Sequence, residues 1–159
     1  MKQLFSIQKK LDDRILEKYQ LNRENLFVDK VVALLTEIGE LTNETRCFKY
    51  WSEKPASERK VILEEYVDGI HFLLSIGVDN DWTEEPSCEE APAPSLSEQF
   101  LKVYKAVISF SETASPKHYD TMFGEYLKLG KLLGFSKDEI KRAYYEKNEL
   151  NHQRQTEGY

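Results

Sequence analysis

The chain has 159 residues, with 22 Lys or Arg against 28 Asp or Glu, for a net charge of −6. The length suits one domain spanning residues 1–159, and a composition 40% apolar and 31% charged suits a soluble fold rather than a membrane protein. Net acidity excludes the broad basic surface of a nucleic-acid binder. No apolar run reaches the roughly 18–20 residues of a bilayer span. The opening MKQLFSIQKKLDDR lacks the apolar block and cleavage site of a signal peptide. A cytoplasmic protein with neither membrane nor nucleic acid as partner is expected.

In chain order, residues 3–18 carry Leu4, Phe5, Ile7, Leu11 and Ile15 at the i, i+3/i+4 spacing of an amphipathic helix. A denser version follows over 26–48, from Leu26 and Val28 through Ile38 and Leu41. Ser57 reads as the N-cap of a third helix running to about Gly77. Between Asp79 and Glu98 the pattern breaks: seven acids, no base and three of the five prolines predict a solvated loop. Because that loop holds the excess acid, the rest of the chain is close to neutral. Helical spacing resumes over 97–111 and 119–133, Gly134 supplies a stop, and Ser136-Lys-Asp-Glu139 is a capping box opening a last helix to about residue 150. No alternating strand or hairpin signal stands out. The fold class is all-α, a bundle of five or six helices. Cys47 and Cys88 form no C-x-x-C pair, and two free thiols are expected.

The sequence has no Gly-rich phosphate loop, and its spacing supports no Ser/His/Asp or Cys/His constellation. Its chemistry lies in acids within apolar runs. The second helix carries Glu37-x-x-Glu40 and the third Glu65-x-x-Asp68. Positions i and i+3 lie roughly 60° apart around a helix, so each helix presents two carboxylates from one face. Packed antiparallel, the two helices bring four acids toward one point. Such a group repels itself unless a hard cation joins it, and magnesium, which bridges protein carboxylates to phosphates, is the natural one. A di-iron site would want E-x-x-H on two helices, and only Asp68-x-x-His71 approaches that. Lys147, Asn151 and Arg154 fall at i, i+4 and i+7 on the last helix, a face suited to a polyanion or simply to solvent.

These motifs, with 25 residues from Glu40 to Glu65 and Gly-Ile-His-Phe after Asp68, resemble the all-α NTP pyrophosphohydrolases. More specifically they resemble the dimeric all-α dUTPases of bacteria, phages and kinetoplastids, relatives of the MazG-like enzymes. Gln8-Lys-Lys-Leu11-Asp12 is similar to that family's N-terminal motif, although some relatives carry Asn in place of Asp12. Asn43 to Trp51, with Lys49, is similar to its Lys/Trp-rich block, and Lys147 to Tyr159 to its C-terminal phosphate-contacting motif. The resemblance covers residues 1–78 and about 100–159.

It implies a homodimeric dUTP diphosphatase giving dUMP and pyrophosphate. Two or more Mg2+ ions would be held on Glu37, Glu40, Glu65 and Asp68, with Glu37 favoured to prepare the attacking water. The resemblance also implies that Gln8, Trp51, His71 and Phe72 meet the base, that Asp12 and Lys49 belong to the nucleotide-binding set, and that Lys147, Asn151, Arg154 and Tyr159 reach the phosphates. On the residues alone, Trp51 and Phe72 read as core aromatics and His71 as a structural histidine. Two alternatives stay open: a related pyrophosphohydrolase acting on dCTP or a damaged nucleotide, and a non-enzymatic helical interaction module. A regulatory protein partner is also admitted, since some phage relatives bind one.

Overall fold

The computed structural model describes residues 1–91 and 94–159. Among them are six α-helices and no strand: α1 Lys2–Tyr19, α2 Phe27–Thr45, α3 Arg59–Asp79, α4 Leu96–Glu112, α5 Pro116–Leu132 and α6 Lys137–Glu157. A 3-10 turn, Arg23–Asn25, joins α1 to α2.

Helix α3 is the hub. Its residues Tyr66, Val67, Gly69, Ile70 and His71, and then Leu73 to Val78, are all buried. A helix apolar nearly all round must be covered on every side, and α3 packs against α1, α2, α5 and α6. The carboxylates at its N-terminal half therefore stand among neighbours rather than in open solvent. Helices α2 and α3 form one antiparallel pair and α4 and α5 another, and α2 meets α4. The core joins Leu34, Ile38 and Leu41 of α2, Tyr66, Ile70 and Leu74 of α3, and Val103, Val107, Phe123 and Tyr126 of α4 and α5.

The expected boundaries shift in instructive ways. Ser57 does not cap α3. Glu58 holds that position without a side-chain bond, while the Ser57 hydroxyl donates to the Glu44 carboxylate and its amide to the Glu44 carbonyl at 3.0 Å. Serine is drawn one residue back by the end of α2. Helix α2 stops at Thr45 because Arg46 turns left-handed, φ 56°. Helix α5 starts at Pro116 rather than 119, with Ser115 as N-cap and proline at the first helical position. Helix α6 runs to Glu157, well past 150. Nothing within it breaks the helix before Gly158, whose φ of 79° ends it. Its end is also held by α1: Arg14 donates to the His152 carbonyl at 3.0 Å and Lys18 to the Gln155 carbonyl at 2.6 Å. The capping box expected at Ser136/Glu139 is formed, and a second one, at Ser95/Glu98, opens α4.

The acidic stretch is exposed at Glu89 and Glu90 but anchored at its start. Asp79 belongs to α3 and pairs with Arg23 and Lys30. Trp82 packs on Phe110 and Tyr119, and Glu85 accepts from the Met1 amino group and the Lys2 amide. Pro92 and Ala93, within that stretch, lie outside the described residues. Cys47 and Cys88 are free thiols. No helix among the described residues is long and apolar enough to cross a membrane.

Candidate active site

Helices α1, α2, α3 and α6 enclose a cleft of about 270 Å³. Nine of the residues singled out from the sequence line it: Gln8 and Asp12 from α1, Glu37 from α2, Asp68, His71 and Phe72 from α3, and Lys147, Asn151 and Arg154 from α6. Leu11, Ile15 and Ser75 complete the wall.

At one end three carboxylates converge. Glu37, Glu65 and Asp68 each place an oxygen within 4.8 Å of the others. Glu37 Oε2 and Glu65 Oε2 are buried with no hydrogen-bond partner. Lys147 Nζ meets Asp68 at 2.9 Å from Oδ1 and 3.0 Å from Oδ2, a single positive charge among several negative ones. Burial, then the charges of Asp68 and Glu40, pushes the pKa of both Glu37 and Glu65 up to about 7. Burial also raises that of Asp68, against the pull of Lys147. Glu40 is exposed and outside the three-oxygen cluster, though its charge bears on all three members. An all-oxygen donor set with orphaned carboxylate oxygens fits a hard divalent cation.

These shifts carry a testable sign. A carboxylate whose pKa is higher folded than unfolded binds its proton more tightly in the native state. Its contribution to stability is full below 4.5 and lost as pH rises through about 7. Below 6.5 the buried His71, neutral in the fold with a pKa pushed down to about 3 by burial and Lys147, acts in the opposite direction. The clean window is therefore from about pH 6.5 to about pH 8. Thermal melts of chelator-treated protein are expected to show the melting temperature falling across it, and millimolar magnesium is expected to remove the fall. A rising or flat profile without metal would contradict the crowding of these acids.

At the other end of the cleft lies a closed set of buried hydrogen bonds. Gln8 Oε1 accepts from His71 Nδ1 at 2.7 Å and from the Tyr144 hydroxyl at 2.9 Å. Gln8 Nε2 donates to Asp12 Oδ1 at 2.8 Å, and the Ser75 hydroxyl donates to Asp12 Oδ2 at 2.8 Å. The His71 ring stacks on Tyr144 with centroids 4.3 Å apart.

A sequence model of the dUTPase family matches residues 1–159, the entire chain. The chain belongs to the all-α dUTPase family. Its activity is accordingly that of a dUTP diphosphatase, carried on the helical fold anticipated from its motifs. A comparison with curated proteins finds no match.

Within this dUTPase three anticipated nucleotide contacts do not line the cleft. Lys49 and Trp51 sit beyond the left-handed turn at Arg46, in a loop that Arg46 ties down through Ser52 and the Lys54 carbonyl. Trp51 there is 63% exposed and packs edge-on against Phe48 and Tyr50. Tyr159 is 78% exposed, its ring 4.9 Å from the Arg154 guanidinium, so it touches the basic stripe without entering the cleft. Conversely, motif and spacing do not single out Ser75 and Tyr144. Each leaves a faint signal: Ser75 is a polar residue in the apolar run Phe72 to Ile76, and Tyr144 lies one turn before Lys147 and Asn148 on the same helix.

Proposed function

We propose that this enzyme hydrolyses dUTP in the α1/α2/α3/α6 cleft with magnesium held by Glu37, Glu65 and Asp68, joined by Glu40 from the rim. The carrying observation is that one cleft unites the carboxylate cluster, the Lys147/Asn151/Arg154 stripe and the Gln8/His71 end. When bound, magnesium would neutralise phosphate charge and favour attack of water at phosphorus. Lys147, Asn151 and Arg154 lie along one face of α6 and take the triphosphate, with Arg offering the planar fork that matches phosphate oxygens.

Water adds across a P–O–P bridge: its oxygen bonds phosphorus, the bridge breaks, pyrophosphate leaves and dUMP remains. Of the clustered acids, Glu37 and Asp68 line the cleft, and Asp68 is engaged by Lys147. That leaves Glu37, with an unpartnered oxygen, to receive the proton from water. The base goes to the opposite end, between Phe72 and the Gln8/His71 pair. Pyrophosphate release from each dNTP, with and without magnesium, tests this: dUTP is expected to turn over only with metal. Preference for dCTP, or full activity after chelation, would overturn the assignment.

We infer that a homodimer would form through the outer face of α2 and α4. These neighbouring helices expose Val28, Val32, Leu101 and Ile108, at 69%, 56%, 55% and 45%, and a second copy would cover these side chains. Val32→Glu is expected to give a folded monomer by light scattering. A dimer of undiminished mass would remove this face from consideration.

A further inference from the structure

Tyr144 is buried behind the cleft and does not line it. Its hydroxyl nevertheless closes the hydrogen-bond set that orients two cleft residues. We propose that Tyr144 is a positioning residue for base selection: it locks the Gln8 carboxamide, and through it the His71 tautomer, so that His71 Nε2 presents a lone pair to an imide N–H. This rests on the reading that Gln8 and His71 receive the base.

Asp12 sets the orientation of the Gln8 amide. Its Oδ1 faces the Gln8 amide and its Oδ2 is occupied by the Ser75 hydroxyl. Turning Gln8 over would set carbonyl oxygen against carboxylate oxygen, so the nitrogen of Gln8 faces Asp12 and Oε1 faces inward. There Oε1 meets two groups, the Tyr144 hydroxyl and His71 Nδ1. A carbonyl oxygen only accepts, so both neighbours must donate, and the proton of a neutral His71 sits on Nδ1. Burial holds the Tyr144 phenol in its protonated, donating form. It follows that His71 Nε2 is an acceptor, and this atom is buried with no partner in the protein.

An unpartnered buried acceptor is costly unless a ligand supplies a donor. Uracil carries a donor at N3, whereas cytosine carries a ring acceptor there. An Nε2 lone pair therefore attracts the first and repels the second. The spare N–H of Gln8 suits a neighbouring base carbonyl. A site whose polar groups are satisfied by one base and left facing a like group by the other discriminates strongly. If the His71 proton moved to Nε2, the preference would reverse, and Tyr144 and Asp12 together prevent that movement.

The tautomer is measurable directly. Nitrogen-15 spectra of the wild-type protein are expected to show His71 protonated at Nδ1 alone; a proton on Nε2 would overturn the proposal whatever any variant does. Tyr144→Phe keeps the stacked ring and removes the donor. It is expected to shift the His71 nitrogen signals toward a mixture of tautomers. It should also lower the dUTP over dCTP ratio of kcat/KM on the order of tenfold, mostly through KM for dUTP, as befits one lost hydrogen bond in a buried network. Unchanged spectra and selectivity in Tyr144→Phe would reject the role of Tyr144. His71→Ala distinguishes the role of Tyr144 from the location of the base site. If it erodes selectivity while Tyr144→Phe does not, only Tyr144 is misassigned. If neither changes selectivity, the base site itself is misplaced.

Discussion

Asp68→Asn is expected to lower dUTP turnover by about a thousandfold or more while leaving the helical content and cooperative melting intact. Asp68 is the one acid of the cluster that both contributes an oxygen to the three-carboxylate group and anchors Lys147, at 2.9 Å. Asparagine keeps the shape and removes the charge. On the proposed metal assignment the cation would lose a strong ligand, and Lys147 loses the carboxylate it is paired with. Losing electrostatic support at developing phosphate charge costs several kcal/mol, and each ~1.4 kcal/mol is a factor of ten in rate. Glu40→Gln is expected to lose activity as well, because the charge of Glu40 bears on Glu37, Glu65 and Asp68 alike. Steady-state pyrophosphate release across a magnesium titration distinguishes the causes: a weakened metal site is partly restored at high magnesium, whereas a lost base is not. Activity within a few fold of wild type in Asp68→Asn would remove the metal assignment altogether.

Much of this site is legible in the sequence because helical spacing fixes direction. E-x-x-E and E-x-x-D point one way from each helix, and Lys147, Asn151 and Arg154 trace one stripe. Once α3 packs against both α2 and α6, Glu37, Asp68 and those three residues share one cleft. What spacing does not set is how far each group sits inside the bundle. Glu40, one turn from Glu37, ends on the exposed side of α2, although the two are equivalent by spacing. Lys49 and Trp51 lie outside the cleft because a left-handed residue at Arg46 redirects the chain. Arginine gives no sequence signal for such a turn, since glycine is the usual occupant. The Tyr144–Gln8–Asp12–Ser75 set escapes a sequence reading for a different reason: its members come from α6, α1 and α3, and only tertiary packing joins them. Among helix ends, the Ser136 capping box and the stop at Gly134 fall where expected, whereas the start of α5 at Pro116 and the end of α6 before Gly158 do not, although both carry local signals.

Gly69→Ala is expected to destabilise the protein by about 1–2 kcal/mol net, although alanine in a helix interior ordinarily gains about 1 kcal/mol over glycine. The reversal arises at the crossing of α3 and α5. Tyr66 and Tyr126 stack face to face with centroids 4.7 Å apart. Each hydroxyl donates to the other's backbone carbonyl, at 3.1 Å from Tyr66 and 2.7 Å from Tyr126. The arrangement is nearly symmetric: the Tyr126 phenol lies over Gly69 and the Tyr66 phenol over Gly130. A methyl group on Gly69 would fall within 2.6 Å of the Tyr126 ring carbon that bears the hydroxyl. Tyr126 has nowhere to retreat, being 1% exposed and pressed on one face by Tyr66. Either the helices separate, or the phenol swings out of its hydrogen bond, leaving a buried hydroxyl unpaired at about 1–3 kcal/mol. Tyr126→Phe in the same chain should recover part of the loss, and the double-mutant cycle should show coupling of about 1 kcal/mol or more. Urea denaturation reads both. A midpoint for Gly69→Ala at or above wild type would mean the crossing is looser than its geometry implies. The consequence reaches the chemistry, because Glu65, Asp68 and His71 all lie within about one turn of Gly69. A helix displaced there separates the carboxylate cluster from the Lys147 stripe, so the variant is expected to lose dUTP turnover even at temperatures where it remains folded.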